Sequence, residues 1–347
     1  KNKKNCGKKM NKPSKASNLI LFSFFLILSI SAIMTELFRT PTAQKFNLDN
    51  YAFVFKRDDF KDLSKIVFKN SLGIFHLNKS KEQIISPWEL KFPRDLPART
   101  ETIESIINSL QNLKIRKIYK RDAINISNFS LNPPLMELKL TDKEKNQMQI
   151  ELGLVDSITN STYIALKDQD IIYQIDSISF PLEKIDLSDF IETKIFSTTP
   201  KEIKAFKLFQ RVGKTSKISK ISIYKDKQNT WKNNRGQKFN SSSSIEVLNK
   251  FLNLKSTIIL DEVTEKLEKK IERYTRSPLY SIIIQEEAGN EIEYKVSSLI
   301  TSLPGIKMEK GQYFIVKASN RKFPFLVHKD SYSIFSLRES QIQRQRI

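Results

Sequence analysis

Cysteine is nearly missing from this chain: one residue in 347, Cys6, in a lysine-rich N-terminal stretch. A single thiol cannot form an internal disulfide, and no cysteine-based metal site can be built in the rest of the chain. Histidine is almost as scarce. His76 in "GIFHLNK" and His328 in "FLVHKD" have no metal-ligand spacing to each other and read as strand histidines. With 8 glycines and 12 prolines the chain is neither collagen-like nor of low complexity. Scarce glycine also weakens the one phosphate-loop echo, "RVGKTS" (Arg211 to Ser216). The full motif needs a glycine where Leu208 stands, because only glycines let the backbone wrap a phosphate with its N–H groups. That stretch reads as a turn between strands. No G-x-S-x-G elbow is present. The acidic pairs Asp58–Asp59 and Glu286–Glu287 are sequence neighbours in turns, whereas general acid–base pairs must converge across a cleft.

What is abundant is lysine, 45 residues against 14 arginines, giving a formal net charge of +21. Seven lysines fall in the first fifteen residues, with no acid among them. The others are scattered on strands beside acids. Nucleic-acid binding calls for clustered basic residues with exposed aromatics, so a solvated basic surface, or attraction to anionic headgroups or wall polymers, fits better.

The next signal is "NLILFSFFLILSISAIMTELF". From Leu19 to Met34 sixteen residues carry no charge. That is adequate, if short, for a spanning helix. The lysine-rich segment before it is the positive-inside flank, which keeps the N-terminus cytoplasmic. The run reads as an uncleaved anchor; "SISA" (Ser29 to Ala32) also offers a signal-peptidase site, and Met10 an alternative start.

Beyond the anchor the chain repeats itself. Trp88 and Trp231, the two tryptophans, are 143 residues apart, and Pro134 and Pro278, each opening a strand, are 144 apart. After Trp88 comes a helix with Ile103, Ile106, Ile107, Leu110 and Leu113 on one face and Thr100 as N-cap. After Trp231 comes another, with a Ser243–Glu246 capping box and the face Ile245, Leu248, Phe251, Leu252. "LMELKL", "MQIEL", "TYIAL" and "IIYQI" read as strands, answered by "LYSIII", "EIEYKV", "QYFIVK" and "FPFLVH". The second copy adds a helix with Val263, Leu267, Ile271 and Tyr274 on one face; the first has an irregular segment there, Arg121 to Phe129. Recurrence of the tryptophans at one place in each copy suits a packing role.

These landmarks resemble an uncharacterised bacterial family, the domain of unknown function numbered 4340. The matching positions are Trp88, Leu110 with Leu113, Leu131 with Pro134, Gly153, Tyr163 and Tyr173, then Trp231, Tyr274 and Pro278. Ser297 or Ser298 stands where the second copy's glycine belongs. The resemblance implies an envelope protein with one N-terminal anchor, found beside ABC-type transporter subunits and gliding-motility-type auxiliary proteins. It brings no catalytic residues.

The expectation is an α+β protein with a basic cytoplasmic stub (1–17) and a transmembrane anchor (18–38). Two tandem repeat units follow (46–185 and 186–338), each an antiparallel sheet packed with one or two helices, then a flexible tail (339–347). No catalytic, cofactor-binding or metal residue is expected, and no cofactor. The expected role is a non-enzymatic accessory subunit of an ABC-transporter-like or gliding-motility-type envelope assembly. The alternative is a binding module for cell-wall or acidic polysaccharide polymers. The partners would be the bacterial inner membrane and a permease or auxiliary envelope protein, with no nucleic acid. The bulk of the chain would be periplasmic or otherwise extracytoplasmic.

Overall fold

The computed structural model describes residues 15–37, 44–45, 53–80, 86–178, 180–214 and 216–343. A helix, α1 (Lys15–Leu37), leads to a short strand β1 (Gln44–Lys45). Then come β2 (Leu63–Asn70), β3 (Gly73–Lys79), β4 (Trp88–Phe92), β5 (Leu96–Pro97), α2 (Thr100–Gln111) and β6 (Ile115–Lys120). Four strands complete the first set: β7 (Met136–Asp142), β8 (Gln147–Asp156), β9 (Ser161–Leu166) and β10 (Ile171–Asp176). After α3 (Leu187–Phe190) the second set runs β11 (Ile203–Val212), β12 (Ser216–Lys225), β13 (Trp231–Asn233), α4 (Ser241–Leu252) and β14 (Ile258–Ile259). It ends with α5 (Glu265–Arg276), β15 (Tyr280–Glu286), β16 (Glu291–Val296), β17 (Tyr313–Ala318) and β18 (Phe325–His328).

The strands form two antiparallel sheets, with helices few: an α+β fold. The first is ordered β1-β6-β10-β9-β8-β7-β2-β3-β4-β5 and the second β13-β12-β11-β15-β16-β17-β18-β14. Read from β14, the second order corresponds strand for strand with the first from β6 to β4. Details correspond too. The Trp88 carbonyl accepts from Ala98 N and the Trp231 carbonyl from Phe239 N, both at 2.9 Å. Lys79 Nζ lies 5.7 Å from the Trp88 ring centre and Lys225 Nζ 5.2 Å from that of Trp231. Both tryptophans are buried.

By compactness the chain falls into two units that are not contiguous halves. One takes residues up to Asp59 with Leu110–Glu137 and Met148–Ser179; the other takes Phe60–Ser109, Leu138–Gln147 and Phe180–Ile347. In the first unit the irregular segment folds as 3-10 turns, Arg121–Ala123 and Ile126–Phe129, with Leu131 packed on Tyr163, Ala165 and Ile172. Gly153 makes this possible: a Cβ there would sit 2.1 Å from the Phe129 carbonyl oxygen. The matching position of the other unit, Ser297, is fully buried, and its hydroxyl accepts from Ile315 N at 2.9 Å.

In the second unit, α4 packs Phe251 on Phe206, 5.1 Å between ring centres, and Phe335 extends the cluster to Tyr280 and Phe314. α5 lays Leu267 and Ile271 against Ile315 and Leu326. Phe68, Phe75 and Phe190 form a third aromatic contact. Several local expectations shift. The α4 cap is Asn240, whose side chain accepts from Ser243 N at 3.1 Å, worth about 1 kcal/mol, so no Ser243–Glu246 box forms. This phasing buries Ser244, Val247, Leu248, Phe251 and Leu252 and leaves Ile245 39% exposed. Thr100 is the first helical residue of α2 rather than its cap. Val263 precedes α5, whose cap is Thr264. The expected flexible tail is docked as far as residue 343: Ile342 is buried, and Asn240 N donates to the Gln343 carbonyl at 2.8 Å. Residues 344–347 of that tail lie outside the described residues.

Among the described residues no helix is long and apolar enough to cross a membrane. The side chains of α1 that are described run from 22 to 34; the remaining parts of the expected anchor, 18–21 and 35–38, lie outside them. So do residues 1–14 of the expected stub and 46–52 of the first repeat unit.

Candidate functional site

The second unit contains a cleft of about 210 Å³. One wall is the β4–β5 hairpin, closed by the pairs Glu89↔Pro97 and Leu90↔Leu96. The other is β14 with the turn that leads into β18. Arg94, in the β4–β5 turn, ties the walls together: its Nε donates to Asp261 Oδ2 at 2.8 Å, and its Nη2 to Asp261 Oδ1 and to the Ile259 carbonyl. Glu192 N donates to the Pro97 carbonyl at 3.0 Å and closes the floor.

Leu96, Pro97, Ile259, Phe323 and Phe325 supply an apolar surface, and charged groups stand among them. The acids are already answered. Glu89 accepts from Lys91 at 2.8 Å and from Ser80 Oγ at 3.0 Å, and the Lys91 bond holds its carboxyl below the usual range. Asp95 also takes Lys91 at 2.8 Å, and these two carboxylates raise the lysine. Glu192 is buried and accepts from Lys194 N at 2.8 Å.

Two of the cations, Arg321 and Lys322, are not answered by an acid in this way. Arg321 has one protein acceptor among the described residues, the Lys194 carbonyl at 3.0 Å from Nη2; its Nε is buried with no partner. Burial pushes its pKa down to about 10, with Tyr294 and Glu192 opposing, so it stays charged at neutral pH. The neighbouring Lys322 lies 4.9 Å from the Phe323 ring centre, with no carboxylate in contact among the described residues. Two further buried atoms, Tyr294 Oη and Asn320 Oδ1, also lack partners. Burial pushes Tyr294 up to about 12; Ser197 is near enough to ease that shift but outside hydrogen-bonding geometry, and it accepts instead from Asn320 Nδ2 at 3.1 Å. Buried polar groups in folded proteins are almost always paired, so the unpartnered Nε of Arg321, a residue that lines the cleft, marks a place for an outside group. The chemistry offered is a fixed guanidinium over an apolar floor, which suits a carboxylate or carbonyl on an extended apolar body.

The residues singled out from sequence lie elsewhere. His76 packs on Phe92, ring centres 5.3 Å apart, and His328 Nδ1 sits 2.9 Å from Asp330. Among the described residues no group of three His, Cys, Asp or Glu could hold a metal. Of "RVGKTS", Arg211 and Val212 end β11 and Ser216 opens β12, with Gly213 at φ +67° between them. Asp58 and Asp59 sit in a 3-10 turn, where Asp59 accepts from Lys56 N at 2.8 Å. Glu286 accepts from Thr198 Oγ1 at 2.8 Å, and Glu287 pairs with Lys225 at 3.5 Å. Sequence reading missed the cleft because its residues come from 89–97, 192, 259 and 321–325, with no spacing to link them.

A family model described as "Domain of unknown function (DUF4340)" matches residues 88–272, more than half of the chain. The chain belongs to the DUF4340 family. The DUF4340 match opens at Trp88 in β4 and closes within α5, so it includes both tryptophans and the Arg94–Asp261 pair. No curated protein and no solved structure matches the chain.

Proposed function

We propose that this DUF4340 chain is a non-enzymatic, membrane-anchored accessory subunit whose two sheets arose by duplication of one unit. In this reading α1 holds it in the bacterial inner membrane, the lysine-rich stub stays cytoplasmic, and the sheets dock outside onto an ABC-transporter-like or gliding-motility-type assembly. The observation that carries the reading is the surface of α1: Phe22, Phe24, Phe25 and Ile27 are 63 to 71% exposed. Each such side chain left in water forgoes about 1.5–3 kcal/mol, so a continuous apolar sleeve calls for a nonpolar cover. A bilayer supplies one for residues 22–34.

The cleft around Arg321 is the docking point for an acidic or carboxylate-ended partner segment. Native membranes washed with carbonate test the anchor, and Arg321→Met tests the cleft. The chain should stay in the washed pellet, and the substitution should release its partner without releasing the chain. A chain extracted by carbonate would refute the anchor. A second reading, capture of an acidic wall polymer, is favoured by the unanswered Arg321 and Lys322. It predicts binding to sacculi at low salt, and it fails if wild type and Arg321→Met sediment alike.

A further inference from the structure

From Ile203 to Lys225 the chain carries seven cations, Lys204, Lys207, Arg211, Lys214, Lys217, Lys220 and Lys225, and no acid. The corresponding hairpin, β2–β3, has three: Lys65, Lys69 and Lys79. β11 and β12 are ten residues each against eight and seven, so the second hairpin is also the longer. Its distal part outruns both sheet neighbours. β15 pairs with β11 no farther than Gln210, and β13 pairs with β12 only at Ile223–Lys225. Arg211 bonds back to the Pro278 carbonyl at 3.2 Å, Lys220 donates to the Phe335 carbonyl, and Lys225 meets Glu287. Among the described residues Lys204, Lys207, Lys214 and Lys217 have no acidic partner.

The arm is two-faced. Val212 pairs with Ser216 and Gln210 with Ile218, so Val212 and Ile218 share one face, while Arg211 opposite Lys217 lies on the other. Val212 is 46% and Ile218 55% exposed. An apolar pair on one side of a cationic arm matches a lipid interface, where tails take the apolar groups and headgroups the charges. A hydrated acidic polymer leaves the apolar pair without cover. Edge pairing with a second copy brings lysine against lysine.

We propose that the distal β11–β12 hairpin is a second membrane contact, inserting Val212 and Ile218 between anionic headgroups that Lys214 and Lys217 recognise. The inference rests on the anchored reading for its geometry and is tested apart from it. The full chain, with Cys6→Ser and Ser216→Cys carrying an environment-sensitive fluorophore, is mixed with vesicles of phosphatidylcholine alone or with phosphatidylglycerol. Flotation with pure phosphatidylcholine reports the anchor. Blue-shifted emission and quenching by lipid-borne quenchers report the hairpin.

The expected result is insertion only with phosphatidylglycerol, weakened by salt. Each lysine near the surface contributes about fivefold in partitioning. Lys214→Glu with Lys217→Glu should therefore cost more than about 25-fold, and Val212→Ser with Ile218→Ser should abolish quenching while salt-sensitive association persists. Identical emission with both vesicle types overturns the proposal, as does a shift that follows protein concentration without lipid. Loss of flotation with phosphatidylcholine, with the phosphatidylglycerol-dependent shift retained, would sink the anchor and leave the hairpin standing.

Discussion

Gly153→Ala is the sharpest test of the first unit. The added Cβ would lie 2.1 Å from the Phe129 carbonyl oxygen and 3.1 and 3.2 Å from Leu131 Cγ and Cδ2. Ordinary contact needs more than about 3.4 Å, so the carbonyl must retreat by more than about 1 Å, and it is backbone. Retreat lifts the 3-10 turn Ile126–Phe129 away from Tyr163, whose ring centre is 4.2 Å from that of Phe129, and unseats Leu131, 2% exposed. Overpacking costs about 1–3 kcal/mol, and partial exposure of Leu131 and Phe129 adds about 1 kcal/mol. A loss of about 2–4 kcal/mol follows, or a fall of about 5–15 °C in the first calorimetric transition. Gly213→Ala is the control. Nothing lies within 4 Å of its Cβ, and only the φ of +67° opposes it, at about 1–2 kcal/mol. If Gly153→Ala melts with wild type, or Gly213→Ala is the worse of the two, the close-approach argument is wrong.

Other consequences can be checked together. Arg94→Ala leaves Asp261, whose side chain is 10% exposed, without its bidentate partner. With Arg94 itself partly exposed, the expected loss in urea unfolding is about 1–3 kcal/mol, and Asp261→Asn should lose less. Ser297→Ala strands the buried Ile315 N–H and should cost about 1–3 kcal/mol in the same assay. Asp226 is held down to about 2 by Lys232 and the backbone N–H groups of Thr230 and Gln228. Its folded value is below the ordinary 3.8, so its stabilisation is full above that value and is lost as the pH falls toward 2. A carboxyl chemical-shift titration should find the midpoint near 2, and Asp226→Asn should flatten the acid limb of stability.

Much of the fold was legible because apolar strands announce themselves, whether they alternate, as β16 does, or are buried throughout, as β9 is. "TYIAL" is β9, "EIEYKV" is β16 and "QYFIVK" is β17 within a residue or two. The tryptophan and proline offsets foretold equivalent strands, since a sheet order survives divergence that erases side chains. Helix ends were less legible. Asn240 outcompetes Ser243 for the cap, and the buried face takes in Ser244 and Val247 while leaving Ile245 out. The 3-10 turns over Tyr163 have no periodicity to read, and only Gly153 hints at the carbonyl that needs its space. The cleft was not legible at all. Arg321 resembles any other turn cation in sequence, and its isolation from carboxylates exists only once distant segments are folded together.

Holding a partner at the membrane is the role proposed for this chain. Full-length protein, tagged at its C-terminus and purified from native membranes in gentle detergent, should bring an ABC permease or auxiliary envelope protein with it. The anchor peptide should still be attached, and Arg321→Met should lose that partner. A chain that elutes alone, with Arg321 intact and the anchor present, would contradict the account.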